Sequence, residues 1–300
     1  MCVVRPDVFI IPTRHAGMEI IMVNINATTT NKAAYPDTIL SMADTAPDAL
    51  VLNGDIVTRG PVINGDAPSA RLAFISEDPS ANVVKEGQLI GEGDPVLDEL
   101  VVRTSKVAIL SNMSNESYAS ATAGNLVATS ARRAVTKKLD SILLANAVTE
   151  GQPTGLLNIA GINTIEGGKY SDLNPILKAI GTCAANNANP TAIVLNYATW
   201  VNLLTLTAKD GRPLVSPDVA NAAQPILFGL PVVLSSAMPA DTALVVDSSE
   251  IIASYSDVTT SVSADALFAY DSVQLRLTAR LGFGVIRPNR LAKVTFTPNA

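Results

Sequence analysis

Arg71 to Leu110, RLAFISEDPSANVVKEGQLIGEGDPVLDELVVRTSKVAIL, is the stretch on which the architecture turns. Gly91-Glu92-Gly93-Asp94-Pro95 is a cluster of turn formers, and the residues on either side of it favour extended backbone. Two long strands, Leu72–Ile90 and Val96–Leu110, are therefore expected to form a ribbon, with an interruption of the first near Asp78-Pro79. An isolated ribbon of this length is marginal in water, because neither face has a second layer to bury against. It is expected to lie on something else, and in an assembly that is a neighbouring copy.

Downstream the spacing becomes helical. From Asn115 to Asn146, residues Val127, Ala131, Val135, Leu139, Ile142 and Leu143 recur every three or four positions in one apolar stripe, with Arg133, Lys137 and Asp140 opposite. Ser114 or Asn115 is placed to cap the start, Glu116 stands in the first turn, and Gly151 follows the end. This helix is well above the usual length of about 11 to 12 residues.

After Gly151 helices and strands alternate: a helix over Asp172–Ala185, a buried strand over Ala192–Leu195, and a helix over Tyr197–Leu206 capped by Asn196. Pro231–Leu234 and Ala243–Val246 read as further strands, with loops at Gly211-Arg212-Pro213 and Pro239-Ala240-Asp241, which makes a compact α/β subdomain. Val273, Leu275, Leu277, Ala279 and Leu281 then alternate with Gln274, Arg276, Thr278 and Arg280, the signature of a strand with one core face. Pro288 ends it, and Leu291–Phe296 is a final strand. Upstream, Asn24–Gly65 reads as an extended arm with one short helix, carrying apolar pieces at Thr38–Met42 and Ala49–Leu52. Met1–Met22, which contains the alternative starts Met18 and Met22, is expected to lie outside the folded core.

The chain has 300 residues, of which 48% are hydrophobic and only 16% charged. It can bury a proper core, and its surface must be rich in Ser, Thr, Asn and Ala, a hint of surface hidden in an assembly. A net charge of −6 argues against tight general binding to nucleic acid, which depends on Lys and Arg. Cys2, Cys183 and His15 are the whole complement of Cys and His, which excludes a disulfide framework and a His/Cys zinc cluster. No apolar run approaches the roughly 20 residues of a membrane helix. Arg5, Pro6, Asp7, Arg14 and Glu19 break up any signal peptide, so synthesis in the cytoplasm is expected.

Motifs of chemistry are sparse. Gly91-Glu92-Gly93 and Gly282-Phe283-Gly284 lack the third glycine of a dinucleotide fingerprint. Glu166-Gly167-Gly168-Lys169 lacks the first glycine and the Ser/Thr of a phosphate loop, and reads as a surface loop. His15 lies in the leader, and Cys183 reads as a small buried hydrophobe inside a helix. Asp94, Asp98 and Glu99 fit no calcium spacing and read as a solvated or partner-facing tip. Asn26, Asn112 and Asn115 start glycosylation patterns that mean nothing without secretion. Arg132, Arg133, Lys137 and Lys138 fall within two turns of the long helix; they are candidates to face packaged DNA, or else a solvated face with Asp140 paired to Lys137. No catalytic, cofactor-binding or metal-ligating residue is assigned.

The order of elements, and a set of phrases along it, resembles the Hong Kong 97-type major capsid proteins of tailed bacteriophages. The phrases are Val84-Lys85-Glu86-Gly87, Asp140-Ser141-Ile142-Leu143, Gly151-Gln152-Pro153-Thr154-Gly155-Leu156-Leu157, Asn196-Tyr197-Ala198-Thr199-Trp200, Leu227-Phe228-Gly229-Leu230-Pro231-Val232-Val233 and Ala266-Leu267-Phe268-Ala269-Tyr270. The resemblance covers Asn24–Thr297. It implies an α+β fold with leader and N-arm (1–66), an extended β-hairpin or E-loop (67–112), the spine helix of the P-domain (113–150), an α/β A-domain (151–254) and return strands (255–300).

By the same resemblance the chain is a virion capsid protein made in the host cytoplasm. It forms pentamers and hexamers that close into an icosahedral shell around double-stranded DNA, which it contacts weakly, and it works with scaffold, portal or decoration proteins. Lys85 lies where some relatives form a cross-link, but no partner Asn can be placed. The stretch before Arg71 is short for the built-in scaffolding domain of some relatives, so a separate scaffold protein or none is expected. Hairpin acids Glu77, Asp78, Glu86, Glu92, Asp94, Asp98 and Glu99, with Lys85, are candidate contacts between subunits, opposite Arg276, Arg280, Arg287, Arg290 and Lys293 of the C-terminal strands; opposite charges there would set register between neighbours, or else both sets are solvated. The rival functions are an encapsulin-type shell and an α/β enzyme.

Overall fold

The computed structural model describes residues 8–11, 21–24, 49–60, 69–77, 79, 81–88, 93–119, 121–148, 152–207, 210–215, 225–256 and 258–298, and the structural statements below concern these. His15, Asp78, Glu92 and the apolar piece Thr38–Met42 lie outside them. In chain order the elements are β1 (Val8–Ile11), β2 (Ile21–Asn24), β3 (Thr58–Arg59), β4 (Ser69–Glu77), β5 (Val96–Ser114), α1 (Asn115–Ala119), α2 (Ala121–Ala145), β6 (Asn163–Lys169), α3 (Asn174–Ala185), β7 (Ala192–Leu195), α4 (Tyr197–Leu204), β8 (Ile226–Leu227), β9 (Leu230–Leu234), β10 (Thr242–Val246), β11 (Ile251–Tyr255), β12 (Thr259–Leu267), β13 (Ser272–Val285) and β14 (Ala292–Thr297). They fall into two compact units, and α2, β5 and β13 contribute residues to both.

The larger unit, residues 48–106, 137–256 and 280–300, contains a six-stranded mixed sheet in the order β6-β14-β10-β7-β9-β8. β7 and β10 are buried at every position, as expected of central strands covered on both faces. α3 buries Ile176, Ala179 and Cys183 in the same core, and Asn196 caps α4 by accepting from the Ala198 amide at 2.9 Å. Tyr170 stacks on Phe296 with centroids 4.7 Å apart and donates to Asp241 at 2.8 Å. Glu166-Gly167-Gly168-Lys169 is not a loop: it ends β6, with a register shift against β14 at Gly167. A Cβ on Gly167 would stand 2.7 Å from the Phe296 ring, so the glycine makes room for that ring.

The same unit holds β3, β4, β11 and the adjoining halves of β5 and β13, from a second sheet in the order β3-β11-β13-β5-β4. Here the two glycines of Gly282-Phe283-Gly284 find their reason. A Cβ on Gly282 would lie 2.7 Å from the Arg103 carbonyl, and one on Gly284 would lie 3.0 Å from the Leu100 side chain. They permit close approach of β5.

In the smaller unit, residues 1–47, 107–136 and 257–279, β12 pairs antiparallel with β13 from Thr259↔Thr278 to Leu267↔Ser272. Val273, Leu275, Leu277 and Ala279 are buried, as the alternation predicts. The Ser114 hydroxyl caps α1, accepting from the Ser117 amide at 3.2 Å. The leader forms β1 and β2, which pair antiparallel with each other.

Three expectations change. The first ribbon strand stops at Glu77, not Ile90, and no described residue between it and Val96 is in strand; Pro79 cannot donate to a ladder. The second strand runs on to Ser114, four residues past Leu110. The ribbon is also not a bare two-stranded one, since β5 has β13 on its other side.

Candidate functional site

β4 and β5 pair from Ser69↔Arg103 to Ile75↔Leu97, and then Glu77 faces Val96. Ser76 is thus an extra residue, a β-bulge, and its hydroxyl donates to the Val96 carbonyl at 3.1 Å. Facing residues share a face, so the hairpin has two different sides. On one, Val102 is buried and Leu72, Phe74 and Leu100 are half-buried, with Leu100 against Gly284. On the other, Ile75, Leu97 and Val101 are 42%, 71% and 45% exposed. Between these apolar residues Arg71 donates across the strands to both Glu99 carboxylate oxygens, at 3.0 and 3.2 Å. Covering Leu97 alone would contribute on the order of 1–2 kcal/mol.

At the tip the Lys85 carbonyl accepts from the Gln88 amide at 3.1 Å, and Gly87 has φ +80, so Lys85–Gln88 is a turn that requires glycine at its third position. Lys85 and Glu86 stand exposed on it, and Val83 beside it is fully exposed. Glu77 ends β4 and Asp94 is exposed before β5. On β13, Arg276 is exposed and Arg280 half-buried. Arg287 is engaged inside its own chain, with Glu250 at 3.3 Å and with the Ile75 carbonyl at 2.7 Å.

On α2, Arg132, Lys137 and Lys138 are exposed and Arg133 is half-buried. Asp140 does not pair with Lys137 on a solvated face. It is buried, and its carboxylate accepts from the Leu50 amide at 2.8 Å; burial pushes its pKa up to about 6. Leu144, on that same side of the helix, is wholly buried, as are Val51 and Ile56 of the arm nearly so. The expectation failed because an amphipathic stripe presumes one apolar neighbour, whereas the end of α2 is covered on both sides. Cys183 is wholly buried and its thiol is pushed up to about 11 by burial, the opposite of an activated thiolate.

Residue spacing missed Glu250, whose partners lie far away in the chain. It also passed over Leu97 and Val101, because Leu97, Glu99 and Val101 on one face and Asp98, Leu100 and Val102 on the other each mix polar and apolar residues, so alternation does not say which face is bare. Among the described residues no group of three His, Cys, Asp or Glu gathers as a metal site, and no helix is long and apolar enough to cross a membrane.

Three comparisons bear on this arrangement. A model of the phage capsid family matches residues 23–296. No curated protein matches. Among solved structures, a chain of Gordonia phage Cozz superposes with a TM-score of 0.68 at 17% identity, over 99% of each chain. The capsid of an empty GTA particle gives 0.70 at 16% identity, over 90% of this chain and 98% of that one. A chain of Mycobacterium phage Bobi gives 0.66 at 18% identity, over 91% and 99%.

Proposed function

Because this chain belongs to the phage capsid family and is a structural protein of a phage shell, we propose that its copies form pentamers and hexamers closing around double-stranded DNA, the hairpin of each lying on the next. The observation that carries this is the hairpin's outer face. Ile75, Leu97 and Val101 expose apolar surface beside the Arg71–Glu99 pair, and Val83 projects fully from the tip. Apolar surface gathered on one face of a hairpin marks an interaction site, and a closed shell covers it by repeating one heterologous contact. Arg276 and Arg280 are the basic residues we assign to the neighbour's acidic hairpin, and Arg132, Arg133, Lys137 and Lys138 to weak contact with packaged DNA. The protein performs no catalysis in this role. Synthesis in the host cytoplasm and cooperation with scaffold, portal or decoration proteins belong to the same proposal.

Expression of the full chain, followed by negative-stain imaging and sedimentation, tests it. Uniform shells or capsomer rings are expected. A monodisperse monomer at high concentration would sink the proposal, and shells holding protein cargo in place of nuclease-protected DNA would redirect it to an encapsulin-type compartment.

A further inference from the structure

The hairpin is joined to the rest of the larger unit through an ion cluster built on a buried carboxylate. Glu250, in the turn between β10 and β11, has a side chain only 4% exposed, and its Oε1 accepts from Arg287 Nη1 and Arg290 Nη1. Its Oε2 is buried and has no hydrogen-bond partner among the described residues. The Glu250 backbone is held as well: its amide donates to the Asp247 carbonyl at 3.2 Å and its carbonyl accepts from the Ile286 amide at 2.9 Å. Arg290 Nε donates to the Asn186 carbonyl at 3.1 Å, behind α3. The second terminal nitrogen of Arg287, Nη2, reaches the hairpin and donates to the Ile75 carbonyl at 2.7 Å.

Ile75 is the residue before the Ser76 bulge, where the β4–β5 register changes. β4 is the last strand of its sheet, so this carbonyl is gripped at an open edge by a charged donor, a bond about twice as strong as a neutral one. A ribbon extended past a bulge has freedom to bend there. Fixing one carbonyl at the bulge to a rigid body removes that freedom before any neighbour arrives, and so lowers the ordering cost of association.

We infer that Glu250 and Arg287 are positioning residues for assembly, a clamp that holds the hairpin at the Ser76 bulge and presents its outer face from a preset place. The clamp rests on the proposal that the hairpin lies on the next copy, and it makes Arg287 an intrachain holder and not a residue that meets the neighbour.

Hydrogen exchange of the unassembled full chain tests the clamp, and the rate of shell formation by light scattering tests its consequence. In Arg287→Gln the amides of β4 around Ile75 are expected to exchange about tenfold faster while those of β7 and β10 are unchanged, and shells form about tenfold more slowly. Arg287→Lys keeps a charge for Glu250 but cannot hold Glu250 and Ile75 together, so it recovers part of both effects. Native exchange at β4 in Arg287→Gln overturns the clamp, and faster exchange with native assembly overturns its role. Should the Gln variant fail to fold, Arg287→Lys decides, since native β4 exchange in it also overturns the clamp. Native assembly by Leu97→Asp overturns the hairpin premise and with it the assembly role, and leaves the exchange result standing by itself.

Discussion

The Leu50 amide donates to the Asp140 carboxylate at 2.8 Å, tying the arm to the end of the long helix at a point where both residues are buried. Ninety residues separate the two partners. The bond satisfies a backbone donor of the arm at the cost of a carboxyl group removed from water, and its pKa rises from 3.8 to about 6 in consequence.

A raised carboxyl pKa means that the folded chain binds the proton more tightly than the unfolded one. The resulting stability is fully present below pH 3.8 and is lost as pH rises through about 6. Asp140→Asn keeps an oxygen for Leu50 and removes the buried charge. At pH 7.5 the variant is expected to be more stable than the native chain by about 1–2 kcal/mol, with the gap closing near pH 4. Urea midpoints of the unassembled protein across that range measure it, and a gap that does not change with pH refutes the assignment.

Gly155 lies against the end of α2. A Cβ there would run into the Asn146 amide nitrogen and stand 2.8 Å from the Leu144 carbonyl, and because these are backbone atoms nothing there can yield cheaply. Gly155→Ala is expected to cost about 2–4 kcal/mol in chemical denaturation. Gly54→Ala, where a Cβ meets nothing within 4 Å, is the control and stays within about 0.5 kcal/mol of native.

Leu97 and Val83 are exposed in the single chain, so replacing either by Asp should leave subunit stability within about 0.5 kcal/mol of native. Assembly is where the loss is expected: the yield of shells falls sharply, because the charge must be buried unpaired at the contact. Sedimentation of matched samples reads the difference, and undiminished shells argue that this face stays in water.

Reversing Arg276 and Arg280 to Glu together is expected to leave the monomer folded and to impair shell formation through like-charge contact with the hairpin acids. Recovery of assembly when Glu86 and Asp94 are reversed to Lys in the same chain would identify the partners; an undisturbed yield in the arginine variant excludes them.

Lys137→Glu with Lys138→Glu changes exposed positions on α2 and should leave shells intact. If these residues face DNA, each lost phosphate contact lowers the salt slope of DNA retention by about 1. Titrating filled particles with salt checks this, and an unaltered slope assigns the cluster to solvent.

Local pattern made much of the fold legible. The alternation at Val273–Leu281 became a strand with its apolar residues inside, the Asn196 cap and the strand Ala192–Leu195 stand where spacing put them, and the ribbon exists, though its first strand ends at Glu77 and does not resume among the described residues. β6, β11 and β12 escaped notice. β6 carries two glycines, Gly167 of which makes room for the Phe296 ring, and so has little side-chain pattern to read; β12, Thr-Thr-Ser-Val-Ser-Ala-Asp-Ala-Leu, alternates only small residues and Val262 with polar ones and is largely exposed, a weak signal of a strand.

Of the candidate surface, the charges were visible and their use was not. The chain order alone established an α+β protein with a ribbon, a long helix and an α/β body, since those follow from periodicities of two and 3.6 and from where Gly and Pro fall. Whether a given charge meets water or a partner depends on contacts between residues remote in sequence. Tertiary packing alone set Asp140 under the arm, gave Arg287 to Glu250 and Ile75, and left Leu97 and Val101 bare on the outer face. Burial and pairing are properties of the space between elements, and no local pattern within one element records what will come to lie against it.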